Sequence, residues 1–283
     1  MASEDGTAAI LARYATDPRF DIQFLSHAQI FGRDCICPVE IGKDMLRRAR
    51  ELFGADWILR QDADEFWCVG PRSLRDILHE VTADQVSVRR YNAITLRDGA
   101  QPASLIGAGR LGEVLVMRRP FPPDGIRSGA TARLPVNFAQ IQPRPIVRAS
   151  RAGRFGSGAH NVFDSAGQPL TKVETSEIAI VHLWFTTLDR FTRKSAFIQA
   201  IRSSIRPANS PGWQWNRWGG MADTRKDEIR DEFEAQFPTT GQLDMLQRQG
   251  RVCPAASLHG TGTPAATDAQ GIKADLANLG WLD

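Results

Sequence analysis

The segment Asp56–Trp67, with the sequence D-W-I-L-R-Q-D-A-D-E-F-W, constrains the chain more than any other. Its apolar run at 57–59 has the pattern of a buried strand and leads into three carboxylates, those of Asp62, Asp64 and Glu65. In a regular strand Asp62 and Asp64 would point to the same face. Clustered carboxylates at a strand's end can hold Mg²⁺ or Mn²⁺, which leave coordination positions open for substrate phosphates. A solvated acidic loop could have the same sequence. The neighbouring segments are therefore needed to distinguish a metal site from such a loop.

The residues before this strand have the periodicity of an amphipathic helix. Between Asp44 and Phe53 the apolar side chains recur at helical spacing, and arginines occupy the other face. Gly54 is suited to end such a helix. A helix, a short connection, a buried strand and clustered acids are together typical of an α/β unit, whose ligand site lies at the carboxyl end of the strand.

Other segments continue the alternation of strands and helices. Strand patterns occur at 21–26, 85–91, 114–117 and 177–183, and helix patterns at 73–79, from Thr187 to about 205, and around Ile229, Phe233 and Phe237. Residues 98–160 are rich in Gly, Pro and Arg, so we expect loops with short strands there. Beyond Pro238 the sequence has little periodicity. We therefore expect one domain over 1–237 and a partly ordered tail over 238–283.

Composition excludes several classes of protein. With 283 residues and 42% hydrophobic content, the chain can bury a substantial core. The net charge of +3 is too small to indicate a nucleic-acid partner. No apolar run reaches the roughly 18 residues of a membrane span, so we expect no integral membrane segment. The cysteines lack the paired spacing of a zinc site and are expected to be reduced thiols of a cytoplasmic protein; they are Cys35, Cys37, Cys68 and Cys253.

Four segments, taken in order, resemble a known family. Residues 3–7, S-E-D-G-T, look like the end of the D-x-x-S-x-D-G-T segment of family 2-like glycosyltransferases with the GT-A fold. Residues 54–66 resemble the G-x-D-W-x-x-x-x-D-x-D-E-F segment of that family. Residues 158–162 and 181–194 resemble the G-x-H-x-V and H-x-x-x-x-x-x-x-x-F-x-x-K segments of its D-x-D-E-F subgroup. The resemblance covers about residues 3–220, and D-x-D-E-F is its most specific part.

This resemblance implies a fold and an activity. The fold would be GT-A-like, with a mixed, mostly parallel sheet flanked by helices. The activity would be metal-dependent transfer of a sugar from a UDP- or GDP-sugar donor to an acceptor hydroxyl, on a glycan or a surface polysaccharide. Family members have two strands before the S-x-D-G-T segment, whereas Met1 stands where they would be. We therefore expect the domain to be truncated at its N-terminus and the natural start to lie upstream.

The resemblance also implies a metal site. Asp62 and Asp64 would hold Mn²⁺ or Mg²⁺ together with the donor diphosphate, and the metal would stabilise the leaving group as a Lewis acid. His182 ends a predicted strand late in the chain, where GT-A enzymes often have a metal-binding histidine. It could equally be a strand histidine satisfied by hydrogen bonds.

Further site residues follow from the same chemistry. Inverting transfer needs a carboxylate base for the acceptor hydroxyl, and Glu65 is the first candidate because it adjoins the metal. Asp5, Arg190 and Lys194 are candidates for binding the donor and its phosphates. A solvated helix face would also explain Arg190 and Lys194.

The acceptor side is the least constrained part of the prediction. His160 lies in a Gly-rich loop that could approach a ligand. Trp213 and Trp215 could stack on a sugar ring or could instead anchor the C-terminal helices to the core. Two other functions remain open, namely a degenerate, non-catalytic sugar-nucleotide binding protein and a metal-dependent phosphohydrolase.

Overall fold

The computed structural model describes residues 6–23, 38–96, 101–122, 135–156, 159–184, 187–204, 218, 226–259 and 269–280. The helices in this part are α1 (Thr7–Ala12), α2 (Pro38–Phe53), α3 (Leu74–His79), α4 (Pro102–Gly107), α5 (Leu188–Ser204), α6 (Lys226–Glu234), α7 (Thr240–Arg248) and α8 (Ala269–Asn278). The strands are β1 (Trp57–Leu59), β2 (Glu65–Val69), β3 (Gln85–Asn92), β4 (Leu115–Met117), β5 (Arg144–Arg148), β6 (Arg154–Phe155), β7 (Val162–Phe163), β8 (Lys172–His182) and β9 (Val252–Pro254). Short 3-10 turns lie at Leu111–Glu113, Val136–Phe138 and Ala255–Leu258.

The chain is a mixed α/β protein with a curled, mostly antiparallel sheet of five strands. Strand β1 pairs with β5, and β2 with β8, and both pairs are antiparallel. The prediction of a mostly parallel sheet is therefore wrong. The prediction failed because hydrophobic periodicity identifies a strand but carries no information on the direction of the neighbouring strand.

The chain divides into two compact units. Unit 1 comprises residues 1–60, 83–86 and 145–172, and unit 2 comprises 61–82, 87–144 and 173–283. In unit 1, helix α2 packs on the strand pair β6·β7, and Leu46 is its fully buried apolar contact. Met45 and Leu52 of the predicted apolar face stay 57% and 58% exposed. The predicted helix end is confirmed, because Gly54 adopts a left-handed φ of 56°.

Unit 2 contains β2, most of β3 and β8, and the separate antiparallel pair β4·β9. Six predicted elements are found here: α3, β3, β4, β8, α5 and α6. Helix α5 begins as expected at Thr187, whose hydroxyl accepts a hydrogen bond from the backbone of Arg190 at 3.2 Å. Cys68 and Cys253 are both free thiols. The predicted strand at 21–26 lies partly outside the described residues, and 21–23 are not in a strand.

The segment after Pro238, expected to be a partly ordered tail, contributes to the core of unit 2. Helix α7 begins with a capping box in which Thr239 and Gln242 exchange hydrogen bonds. Leu246 of α7 and Leu276 of α8 pack in one cluster with Met117 and Phe138. Residues between 94 and 139 and residues between 246 and 279 therefore contribute to one buried cluster.

Among the helices in the described ranges, none is long and apolar enough to cross a membrane.

Candidate metal and phosphate site

One pair of strands positions the acidic segment of unit 2. In β2·β8, Glu65 lies directly opposite His182. The carbonyl of Asp64, the residue before β2, accepts a hydrogen bond from the Leu183 backbone at 2.8 Å. This continuation of the pairing brings the side chain of Asp64 to His182, with 3.7 Å between Asp64 Oδ1 and His182 Nε2. Asp62 and Asp64 thus lie in the connection before β2. The spacing had predicted instead that both would point to one face of a strand.

Asn92, at the end of β3, holds the other side of the His182 ring. His182 Nδ1 lies 3.0 Å from Asn92 Oδ1. The indole of Trp184 donates to the same oxygen at 2.8 Å. The Asn92 amide nitrogen in turn donates to the carbonyl of Ala139 at 3.1 Å. The histidine is therefore anchored on one side and faces Asp64 on the other.

Burial and neighbouring cations keep His182 uncharged. His182 is 5% exposed, and burial lowers its pKa well below the ordinary value of 6.5, with a further contribution from the positive charges of Arg90 and Lys194. Burial raises the pKa of Asp64, although the charge of Lys194 acts in the opposite direction. The 3.7 Å contact is consequently not an ion pair, since a neutral imidazole faces the carboxyl group.

Lys194 is the cationic side chain of this group that is best suited to bind a phosphate. Its ammonium donates to the Trp184 carbonyl at 3.2 Å and lies 4.8 Å from the centre of the Trp184 ring. Burial lowers the pKa of Lys194, whereas the charges of Asp64 and Asp62 raise it. Arg190, one helical turn earlier, is exposed. Of the two predicted phosphate-binding residues on α5, Lys194 is therefore the one that the fold brings to the acids.

Two buried arginines, which the sequence analysis did not identify, surround Glu65. The carboxylate of Glu65 is fully buried, and it accepts hydrogen bonds from Arg90 Nη1 at 2.7 Å and from Arg144 Nε at 2.9 Å. Arg144 also forms an ion pair with Asp62. The backbone of Asp62 donates to Glu65 at 3.1 Å. This network binds both oxygens of Glu65, an arrangement that differs from the free base expected at this position.

The remaining predicted site residues are His160 in unit 1 and three residues that the structure does not describe. His160 is half-buried in a turn of unit 1 before β7, whereas the Asp64 group belongs to unit 2. Asp5, Trp213 and Trp215 lie outside the described residues.

A cavity of about 470 Å³ lies in unit 2. Two of its lining residues are Thr95 and Thr187, which follow Asn92 and Trp184 by three positions in the sequence. The wall combines apolar and polar side chains: Thr95, Leu96, Gln101, Thr187, Leu188, Phe233, Glu234 and Phe237. Half of these eight side chains are polar and half are apolar.

Asp64 and His182 fit as a partial set of ligands for a divalent cation. Two protein atoms, each about 2.1 Å from one cation, lie at most about 4.2 Å apart. The 3.7 Å separation of Asp64 Oδ1 and His182 Nε2 falls within that limit. In the part of the chain that the structure describes, no group of three or more His, Cys, Asp or Glu side chains could hold a metal. The set therefore suits a cation that completes its coordination with water and substrate phosphates, as Mg²⁺ commonly does.

No family model matches this chain, and no curated protein matches it either.

Proposed function

We propose that the protein is a metal-dependent glycosyltransferase with a GT-A-like donor site, which moves a sugar from a nucleoside-diphosphate donor to the hydroxyl of a glycan or surface polysaccharide. The observation that carries this proposal is the meeting of Asp64 and neutral His182 at 3.7 Å, with half-buried Lys194 beside them. The acidic segment and the histidine are far apart in sequence, and they come together on residues that carry the family resemblance.

Each residue of this group has a distinct role in the proposal. Asp64 and His182 hold Mn²⁺ or Mg²⁺, which when bound stabilises the negative charge of the leaving diphosphate. Lys194 adds a positive charge for the donor phosphates, where partial desolvation strengthens the attraction. Asp62 lies at the same edge, but Arg144 binds it. We therefore assign the direct ligand role to Asp64 and a supporting role to Asp62.

For Glu65 we propose a positioning role in place of the catalytic base. Its carboxylate is fully buried and accepts hydrogen bonds from Arg90 and Arg144, so it has no free path to an acceptor hydroxyl. A buried anion between two arginines holds their guanidinium groups in fixed positions. We propose that the acceptor enters through the cavity that Thr95 and Thr187 help to line.

A second candidate function is a sugar-nucleotide binding protein without catalysis. The observation in its favour is that arginines bind two of the three acids, Asp62 and Glu65. Such a protein would bind a nucleoside diphosphate with metal but would not break the glycosidic bond.

The test is the identity of the products from a panel of UDP- and GDP-sugars incubated with Mn²⁺ and protein. A glycosyltransferase working on water or an added acceptor releases the nucleoside diphosphate. A phosphohydrolase releases a nucleoside monophosphate and a sugar 1-phosphate, and the binding protein releases neither. We expect nucleoside diphosphate release that a chelator and Asp64→Asn abolish. The control is Asp244→Asn, which changes an exposed carboxylate on α7.

A further inference from the structure

The orientation of the Asn92 amide is set by its backbone neighbours. Its nitrogen lies 3.1 Å from the Ala139 carbonyl and 3.4 Å from the Val136 carbonyl. Carbonyl oxygens only accept hydrogen bonds, so the donating NH₂ group must face them. The Asn92 oxygen consequently faces His182 and Trp184. The contact with Trp184 independently supports this orientation of the Asn92 amide, because the indole N–H can only donate and lies 2.8 Å from that oxygen.

This orientation determines where His182 carries its proton. The Asn92 oxygen accepts at 3.0 Å from His182 Nδ1, so Nδ1 must bear the hydrogen. An imidazole that binds a metal is neutral and has one N–H, which leaves Nε2 with a lone pair. That lone pair faces Asp64 Oδ1 at 3.7 Å. Two acceptors directed at each other are favourable only with a cation or a proton between them.

We infer that Asn92 is a positioning residue that fixes His182 in the Nδ1–H tautomer and so presents its Nε2 lone pair, with Asp64, to a divalent cation. The hydrogen on Nδ1 follows from hydrogen bonding alone, while the lone pair on Nε2 and its consequence for the metal rest on the proposed function. Hydrogen-bond acceptors of this kind orient metal-binding histidines, and their loss commonly weakens metal binding by about 10–100-fold.

Trp184 supplies the matched control. It shares the Asn92 oxygen with His182, and its ring lies edge-on to the His182 ring, with 4.9 Å between centroids. Trp184→Phe removes the indole donor and keeps an aromatic ring, so it leaves the hydrogen bond from His182 to Asn92 in place. Asn92→Leu removes the acceptor, whereas Asn92→Asp keeps an acceptor facing His182, loses the amide donor to Ala139 and adds a negative charge that holds the hydrogen on Nδ1.

The experiment is ¹⁵N NMR of the histidine side chains in the full chain near pH 7.5, before and during titration with Mn²⁺ alone. In the wild type and in Trp184→Phe we expect a protonated Nδ1 and an unprotonated Nε2 at His182. Addition of Mn²⁺ should broaden the His182 signals, and a chelator should restore them. Asn92→Leu should lose the single tautomer and require about 10–100-fold more Mn²⁺ for the same broadening. Asn92→Asp should restore the tautomer.

The outcomes separate this inference from the proposed function. A proton on Nε2 in the wild type would overturn the inference, as would an unchanged tautomer and unchanged Mn²⁺ broadening in Asn92→Leu. If Asn92→Leu does not fold, the wild-type tautomer and its presence in Asn92→Asp decide the question. The expected tautomer without any Mn²⁺ broadening would uphold the role of Asn92 in orienting His182. If broadening were still absent after UDP or GDP had been added with the Mn²⁺, the metal site would be overturned, and the proposed function with it.

Discussion

Glu65 and His182 are direct partners across the antiparallel strands β2 and β8, and both side chains are buried. Residues directly opposite each other project from the same face of a sheet. The pairing therefore fixes two things at once, namely the depth at which Glu65 meets Arg90 and Arg144, and the position of His182. Asp64 continues the pairing through its backbone contact with Leu183 and so arrives beside the imidazole.

The structure distinguishes the two aspartates by their partners, which predicts different effects of removing their charge. Asp64→Asn should abolish Mn²⁺-dependent binding of UDP or GDP, because its carboxyl group faces His182. Asp62→Asn should weaken binding less, because Asp62 pairs with Arg144 and is 46% exposed. Isothermal titration calorimetry with each nucleotide, with and without chelator, measures both effects. Equal losses in the two variants would contradict this division of roles, and Asp244→Asn is the control.

Glu65 should matter for stability as well as for function. Glu65→Gln leaves Arg90 and Arg144 buried without their shared carboxylate, and breaking a buried ion pair on one side costs about 3–5 kcal/mol. The check is the free energy of unfolding from urea denaturation. Glu113→Gln is the control, because Glu113 pairs with Arg110 at the surface, and we expect no measurable change there. A wild-type stability in Glu65→Gln would show that the carboxylate does not stabilise the two arginines.

The elements that the sequence predicted best are those in which local pattern and burial agree. Strand β1 was predicted at its observed bounds, and α5 begins at the predicted cap, Thr187. The direction of the strands was wrong because pairing depends on contacts between distant segments. Met45 and Leu52 have helical periodicity but remain exposed, so periodicity overstated the buried face of α2.

The candidate site was predictable in its acids and its histidine, but not in what surrounds them. Asp64 and His182 are conspicuous as residues at strand ends. Arg90 and Arg144 are not, because an arginine within a strand pattern is ordinarily an exposed residue, and their burial depends on Glu65. Asn92 has no sequence signal at all, since its role depends on the backbone of residues 136–139.

The thiol of Cys68 provides a test of stability against pH. Burial raises the pKa of this thiol from 9.0 to about 11. Because the unfolded chain loses the proton first, its contribution to stability is complete below about pH 9 and is lost as the pH rises through 9 to 11. Two pKa units correspond to at most about 2.7 kcal/mol. Urea unfolding at pH 8 and pH 10.5 should show a smaller decrease in Cys68→Ala than in the wild type. Equal decreases would mean that the thiol is not buried in solution.

The C-terminal segment gives the last prediction, because it contains α7 and α8 although its sequence has little periodicity. Leu246 of α7 is fully buried in the cluster that contains Ile94, two positions beyond Asn92. Leu246→Ala should therefore destabilise the protein by about 2–5 kcal/mol, through lost burial and the cavity left behind.

The matched control for Leu246→Ala is Leu52→Ala, because Leu52 is 58% exposed on α2. We expect it to change the unfolding free energy by less than about 0.5 kcal/mol. Urea denaturation followed by tryptophan fluorescence measures both variants. If Leu246→Ala were as mild as Leu52→Ala, then α7 would not be part of the core, and residues 238–283 would be the loosely held tail that their sequence suggests. A large loss in Leu246→Ala alone would instead place this segment in the same cooperative unit as the strand that ends at Asn92.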